Sequence, residues 1–212
     1  MEYTFSFQKT FRYELLNDNP NAATVLYVLH GYGQLAKYFI QKFKALDQDI
    51  LIVSPEGMHR FYLKGNSGRV GASWMTKEAR EVDISNNMAW LTALDEKISA
   101  KYPIKNKIVL GFSQGGSTAA RWRLSNKVAF NSLVVWGSDF PPEEKNAKEL
   151  LIGDANNHLV IGNNDEYFDD KQQNKLIDDY KLLGFKISTY IGHHDIDTQT
   201  LIDLIQRIKD KL

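Results

Sequence analysis

Residues 107–116 read Lys-Ile-Val-Leu-Gly-Phe-Ser-Gln-Gly-Gly, an apolar run that stops at a glycine and a serine and opens onto the small residues Ser117, Thr118, Ala119 and Ala120. Ile108, Val109 and Leu110 predict a buried strand, and the stretch that begins near Ser117 predicts a helix. A serine between the two, with Gly111 two residues before it and Gly115 two residues after, has the pattern of a nucleophile elbow. In such a turn the flanking positions must be small, because strand and helix approach closely on either side of the serine. The alternative is a glycine-rich helix start that packs tightly or holds a phosphate.

The same kind of strand recurs on either side. Residues 24–29, 50–54, 132–136, 158–162 and 186–191 are further near-continuous apolar runs, as expected of parallel strands covered on both faces. Residues 3–15 instead alternate, with Tyr3, Phe5, Phe7, Phe11, Tyr13 and Leu15 on one side, which predicts one or two half-exposed antiparallel edge strands. Ile84, Met88, Leu91, Leu94 and Ile98, and later Leu201, Leu204, Ile205, Ile208 and Leu212, recur at helical spacing. The predicted fold is therefore α/β, with a mostly parallel central sheet, helices on both faces and antiparallel N-terminal strands. Ligands in such sheets bind beyond the carboxyl ends of the strands. The connection from Pro55 to about Glu81 is long, aromatic and glycine-containing, and reads as a structured surface loop. No linker or shift in composition divides the chain, so one domain over residues 1–212 is expected.

Composition narrows the chemistry. The 212 residues contain no cysteine, which removes thiol nucleophiles, zinc knuckles and iron–sulfur clusters and favours a cytoplasmic setting. Lys and Arg number 26, as do Asp and Glu; without net charge there is no long-range pull toward nucleic acid, and none is expected as a partner. The N-terminus lacks a charged start followed by an apolar block, so no secretory leader is expected. Apolar stretches such as residues 22–29 fall far short of the roughly 18 to 20 residues that cross a bilayer, so no stable membrane insertion is expected.

A serine hydroxyl attacks only when a base takes its proton, and the base needs an acid to orient it. In chains with this elbow the acid follows the serine and the histidine comes last. His193 and His194 lie after the last apolar run, in Tyr-Ile-Gly-His-His-Asp-Ile-Asp over residues 190–197. His59 and His158 read as ordinary surface histidines, and His30 as a support for its own loop through hydrogen bonds. The leading acid is Asp165, directly after residues 158–162, with Asp139 one strand earlier as the rival. An oxyanion needs two amide donors. Tyr32, in the glycine-flanked loop Leu29-His30-Gly31-Tyr32-Gly33, and Gln114 supply them. His193, His194, Asp195 and Asp197 form a tight acidic and imidazole group, but neighbouring side chains diverge and no HExxH pair is present, so no metal is expected.

The loop at residues 29–33, Gly-Phe-Ser-Gln-Gly-Gly at 111–116, Gly-Asn-Asn-Asp-Glu-Tyr-Phe at 162–168 and Gly-His-His-Asp-Ile at 192–196 together resemble the phospholipase/carboxylesterase family of α/β-hydrolases. That family includes acyl-protein thioesterases and small bacterial carboxylesterases. The resemblance implies an α/β-hydrolase fold without a lid domain, and Ser113, Asp165 and His194 as a catalytic triad. It implies the Tyr32 and Gln114 amides as the oxyanion hole, and no cofactor. The family's histidine motif, Gly-Gly-His-x-Ile, places the base at His194, with His193 where a glycine is usual. The chain departs from the family at Gln34, where an aspartate is common, and at Ser54-Pro55-Glu56-Gly57. Phe140 falls where the family sets an apolar residue beside the acyl pocket, and Tyr32, Trp74 and Phe140 are the expected pocket wall. The implied activity is that of a serine carboxylesterase cleaving small to medium acyl esters, small molecules being its partners, through an acyl-enzyme. A thioesterase or lysophospholipase with the same triad is the alternative, and a non-catalytic binding module the reading outside the class. A homodimer is left open.

Overall fold

The computed structural model describes residues 3–144, Ala147 and 156–212. The strands are β1 (Tyr13–Leu16), β2 (Thr24–Leu29), β3 (Ile50–Pro55), β4 (His59–Lys64), β5 (Ser67–Ser73), β6 (Asn106–Phe112), β7 (Ser132–Trp136), β8 (His158–Gly162) and β9 (Lys186–Tyr190). The helices are α1 (Ala36–Phe39), which runs into a 3₁₀ turn over Ile40–Phe43, then α2 (Arg80–Lys101), α3 (Gln114–Leu124), α4 (Asp170–Leu182) and α5 (Thr198–Lys209).

Seven strands form one sheet in the order β1-β3-β2-β6-β7-β8-β9, parallel except for β1. The apolar runs expected as strands are strands, because β2, β3, β6, β7 and β8 are buried on both faces. One face packs Leu91, Trp122 and Tyr180 of α2, α3 and α4 against Tyr27, Val109 and Val135. The other packs Phe39 and Phe43 with Leu201, Leu204 and Ile208 of α5 against Leu26, Leu110 and Val134. Helix α5 starts where the Asp197 carboxylate accepts the Thr200 N–H at 2.8 Å, satisfying an amide that the helix cannot.

Two expectations change. The N-terminal alternation gives only β1, and residues 3–12 form no strand. The register pairs Tyr13 with Pro55, where β3 ends; earlier residues have no continuing strand to join, and Tyr3, Phe5 and Phe7 stay exposed. The connection from Pro55 to Glu81 contains an antiparallel hairpin, β4 with β5, that its polar, exposed sequence conceals. The available signal is Gly65-Asn66, two residues between the strands, with Gly65 at φ 60°; a two-residue turn led by glycine favours a hairpin.

Two histidines lie inside the structure rather than on it. His30 is fully buried, its Nδ1–H donating to Gly31 O at 2.8 Å and its Nε2 accepting the Gly57 N–H at 2.9 Å. His158, expected at the surface, is 4% exposed and its Nε2 meets Asn156 Oδ1 at 2.9 Å. Burial pushes each imidazole down to about 4. An unfolded chain protonates these rings near 6.5 and the folded chain does so only near 4, so their contribution to stability is complete above the first value and disappears as pH falls toward the second. For fully buried His30 the loss amounts to about 3 kcal/mol. Urea denaturation between pH 7.5 and 4.5 should show the decline, and an unfolding free energy constant over that range would contradict it.

The junction of β6 and α3 is equally constrained. A Cβ on Gly111 would lie 2.1 Å from Gly115 O, and one on Gly115 would lie 2.2 Å from Leu29 O. Gly115→Ala should therefore lower stability by roughly 1–3 kcal/mol or more, read as a fall in melting temperature; an unchanged melting temperature would refute the close approach.

Candidate active site

Each candidate residue leaves the carboxyl end of a parallel strand: Tyr32 after β2, Ser113 after β6, Asp139 after β7, Asp165 after β8 and His194 after β9. Ser113 sits at φ 52° and ψ −125°, a conformation that costs a non-glycine residue on the order of 1–3 kcal/mol and persists only where its surroundings enforce it. Its amide donates to Trp136 O at 2.9 Å, and its carbonyl accepts the Gly116 N–H at 2.7 Å. The turn is thus held from both sides, with α3 starting at the next residue.

His194 Nδ1 lies 2.7 Å from Asp165 Oδ2. The carboxylate has no hydrogen to give, so the ring donates Nδ1–H and leaves Nε2 as an acceptor. Nε2 is buried and makes no hydrogen bond among the described residues. The aspartate is itself fixed, its side chain 1% exposed and its Oδ1 accepting the Tyr167 N–H at 3.1 Å. Asp139 makes no hydrogen bond to the imidazole among the described residues. His193 points elsewhere; its side chain is 77% exposed and its Nδ1 donates to Asn164 O at 3.1 Å.

Ser113, Gln114, Asp139, Tyr167 and His194 line one open cavity of about 300 Å³. No hydrogen bond joins Ser113 Oγ to His194 Nε2 among the described residues, and such bonds are often long before a substrate closes the site. Around the serine, Gly31 N–H donates to Gln34 Oε1, Gly33 N–H to Ala72 O and Gln34 N–H to Gly31 O. The Tyr32 and Gln114 amides have no acceptor among the described residues, which leaves them free for an oxyanion.

Several supports were not foreseen from the sequence. The Gln114 side chain clamps the start of the connection to α2, with Nε2 donating to Met75 O at 2.9 Å and Oε1 accepting the Trp74 N–H at 3.0 Å. Gly137, at φ 55°, lets the imidazole and its carboxylate close over the end of β7; a Cβ there would lie 3.1 Å from the His194 ring and 3.2 Å from Asp165 Oδ2. Phe112 and Tyr167 contact the ring with centroid distances of 4.7 and 4.4 Å. Trp136 Nε1 donates to Asp195 O at 2.9 Å, and Tyr190 Oη donates to His193 O at 2.8 Å, so the histidine loop is fastened on both sides of residue 194. The sequence signal for these supports is Trp136-Gly137 directly after a strand.

The expected pocket wall is dispersed. Trp74 is fully buried, donating Nε1–H to His30 O at 2.7 Å and stacking on Trp90. Phe140 packs edge-on against Tyr180 and Phe185. The Tyr32 side chain is exposed and rests on Phe61. Asp195 pairs with Lys42 at 2.6 Å and Asp197 caps α5; among the described residues no group of three or more His, Asp or Glu could hold a metal ion. Nor is any helix among them long and apolar enough to cross a membrane.

Solved structures share this architecture. Esterase PE8 superposes with a TM-score of 0.72 at 18% identity, over 94% of this chain and 100% of that one. Acyl-protein thioesterase 2 of Zea mays gives 0.71 at 16% identity over 94% and 98%. The Bacillus cereus carboxylesterase gives 0.65 at 14% over 95% of each. A comparison with curated protein sequences gives no match. The model of one sequence family, described as phospholipase/carboxylesterase, matches residues 15–211, and with an elbow serine and a histidine–aspartate pair opening on the same cavity, the chain belongs to the phospholipase/carboxylesterase family of α/β-hydrolases.

Proposed function

We propose that the protein is a cytoplasmic serine carboxylesterase acting on small to medium acyl esters. The observation that carries this reading is the buried His194 Nε2, left as an acceptor by the 2.7 Å contact between Nδ1 and Asp165, in the cavity that Ser113 also lines. Ser113 Oγ attacks the ester carbonyl as its proton passes to Nε2. The tetrahedral oxyanion accepts from the Tyr32 and Gln114 amides, and Asp165 stabilises the imidazolium. Collapse expels the alcohol, which takes the proton from Nε2 and leaves an acyl-enzyme. Water then attacks, gives a proton to Nε2, and the second collapse returns that proton to Ser113 and releases the acid. A thioester follows the same steps with a thiol as the leaving group. The open cavity of about 300 Å³ favours compact substrates.

Replacing Ser113 by Ala should lower turnover of 4-nitrophenyl butyrate by about 10⁶-fold and Asp165→Asn by about 10⁴-fold, with melting temperatures close to that of the wild type. Labelling of Ser113 by an organophosphonate separates this reading from a binding module, since only an activated serine reacts; an unlabelled serine would defeat it. If Asp165→Asn retains full activity, the acid role passes to Asp139.

A further inference from the structure

A second cavity borders the proposed oxyanion loop. It is about 660 Å³, roughly twice the volume of the first, and is walled by Gly33 and Gln34 of that loop, by α1 with its following turn, and by Gly68, Arg69 and Val70 of the hairpin. Its lining holds three cations, Lys37, Lys42 and Arg69, and no carboxylate. The chain as a whole is neutral, so this imbalance is local. Lys42 is engaged by Asp195 at 2.6 Å. Lys37 and Arg69 form no ion pair among the described residues. The Lys37 ammonium lies 4.7 Å from the Tyr38 ring centroid, a contact that positions the charge without neutralising it.

The wall of this cavity packs toward the reacting centre through aromatic rings. Phe39 lines it and stacks on Phe112 at 6.0 Å, and Phe112 in turn contacts the His194 ring at 4.7 Å. Gly33 follows Tyr32, whose amide is the proposed oxyanion donor. A group held by Lys37 and Arg69 would therefore rest on a wall that packs, through Phe39 and Phe112, against the histidine paired with Asp165.

We propose that this cavity receives an anionic group of the substrate, a carboxylate or a phosphate, and that the substrates are esters with such a group on the arm that passes the oxyanion loop. The assignment rests on the ester-hydrolase reading for the reaction and on Lys37 and Arg69 for the charge. Two uncompensated cations facing a shared space favour an anion there. Arginine also offers carboxylate and phosphate a paired set of donors.

The test compares kcat/KM for the 4-nitrophenyl esters of glutaric acid and of 4-phosphonobutanoic acid with that for neutral 4-nitrophenyl pentanoate, in the wild type and in Lys37→Ala/Arg69→Ala. At least one anionic ester should be preferred by about tenfold or more, chiefly through KM. The double variant should lose that preference and keep its rate on the pentanoate ester. Preference for the glutarate ester identifies a carboxylate substrate and preference for the phosphonate a phosphorylated one. If neither anion is preferred, or if the preference survives the double replacement, the proposal is overturned. If no ester is cleaved, the hydrolase reading fails, and calorimetric titration of the wild type with glutarate and with inorganic phosphate decides the cavity alone. Saturable binding of either, weakened at least tenfold in the double variant, supports it; no binding, or equal binding, overturns it.

Discussion

The crossing of β6 and α3 at Gly111 and Gly115 sets the conditions for everything around it. The helix passes so near β6 at Gly111, and so near the end of β2 at Gly115, that neither position has room for a single carbon substituent. The chain between them has no relaxed path and takes the φ 52° turn at Ser113. The strain is held by the Ser113 N–H, which donates to Trp136 O, and by the Gly116 N–H, which donates to Ser113 O. The result is a hydroxyl at the strand's carboxyl end rather than a side chain folded back on its own helix.

From that point the site is assembled by adjacent strand ends. Strands β6, β7, β8 and β9 lie side by side, and the loops that follow them bring in the serine, the Gly137 opening, the aspartate and the histidine. Gly137 and Gly162 perform the same service as Gly111, since a Cβ at Gly162 would lie 2.4 Å from Gly192 O. Close backbone approach recurs wherever one loop must reach over its neighbour, and tryptophan and tyrosine donors then fix the loops that have been brought together.

How much of this is legible in the sequence depends on what a residue answers to. Runs such as residues 24–29 and 132–136 announce themselves, because burial on both faces admits only apolar side chains along the strand. Ser113, Asp165 and His194 can be named from local motifs, but the choice between Asp165 and Asp139 rests on which carboxylate meets the imidazole, a contact across 29 residues. The hairpin is hidden because its strands are largely exposed and carry no apolar period. Trp74 misleads for the opposite reason. Its place among aromatic and glycine residues looks like a pocket wall, and only the packing against Trp90 and the bond to His30 O show it to be core. Aromatic alternation in residues 3–12 likewise needs a neighbouring strand, and none continues past Pro55.

The hairpin joins the loop after β2 by main-chain bonds, Gly33 N–H to Ala72 O and Ala72 N–H to Gln34 O, with Gly71 pressed against Gly33. Those anchors are indifferent to the identity of side chains farther along the ribbon. Its tip, from Lys64 to Arg69, can be rewritten in sequence while the bridge that steadies the loop persists. Under the proposed reading, recognition on the hairpin and reactivity at the serine would lie on separable parts of the structure, so that the first could be retuned without disturbing the second.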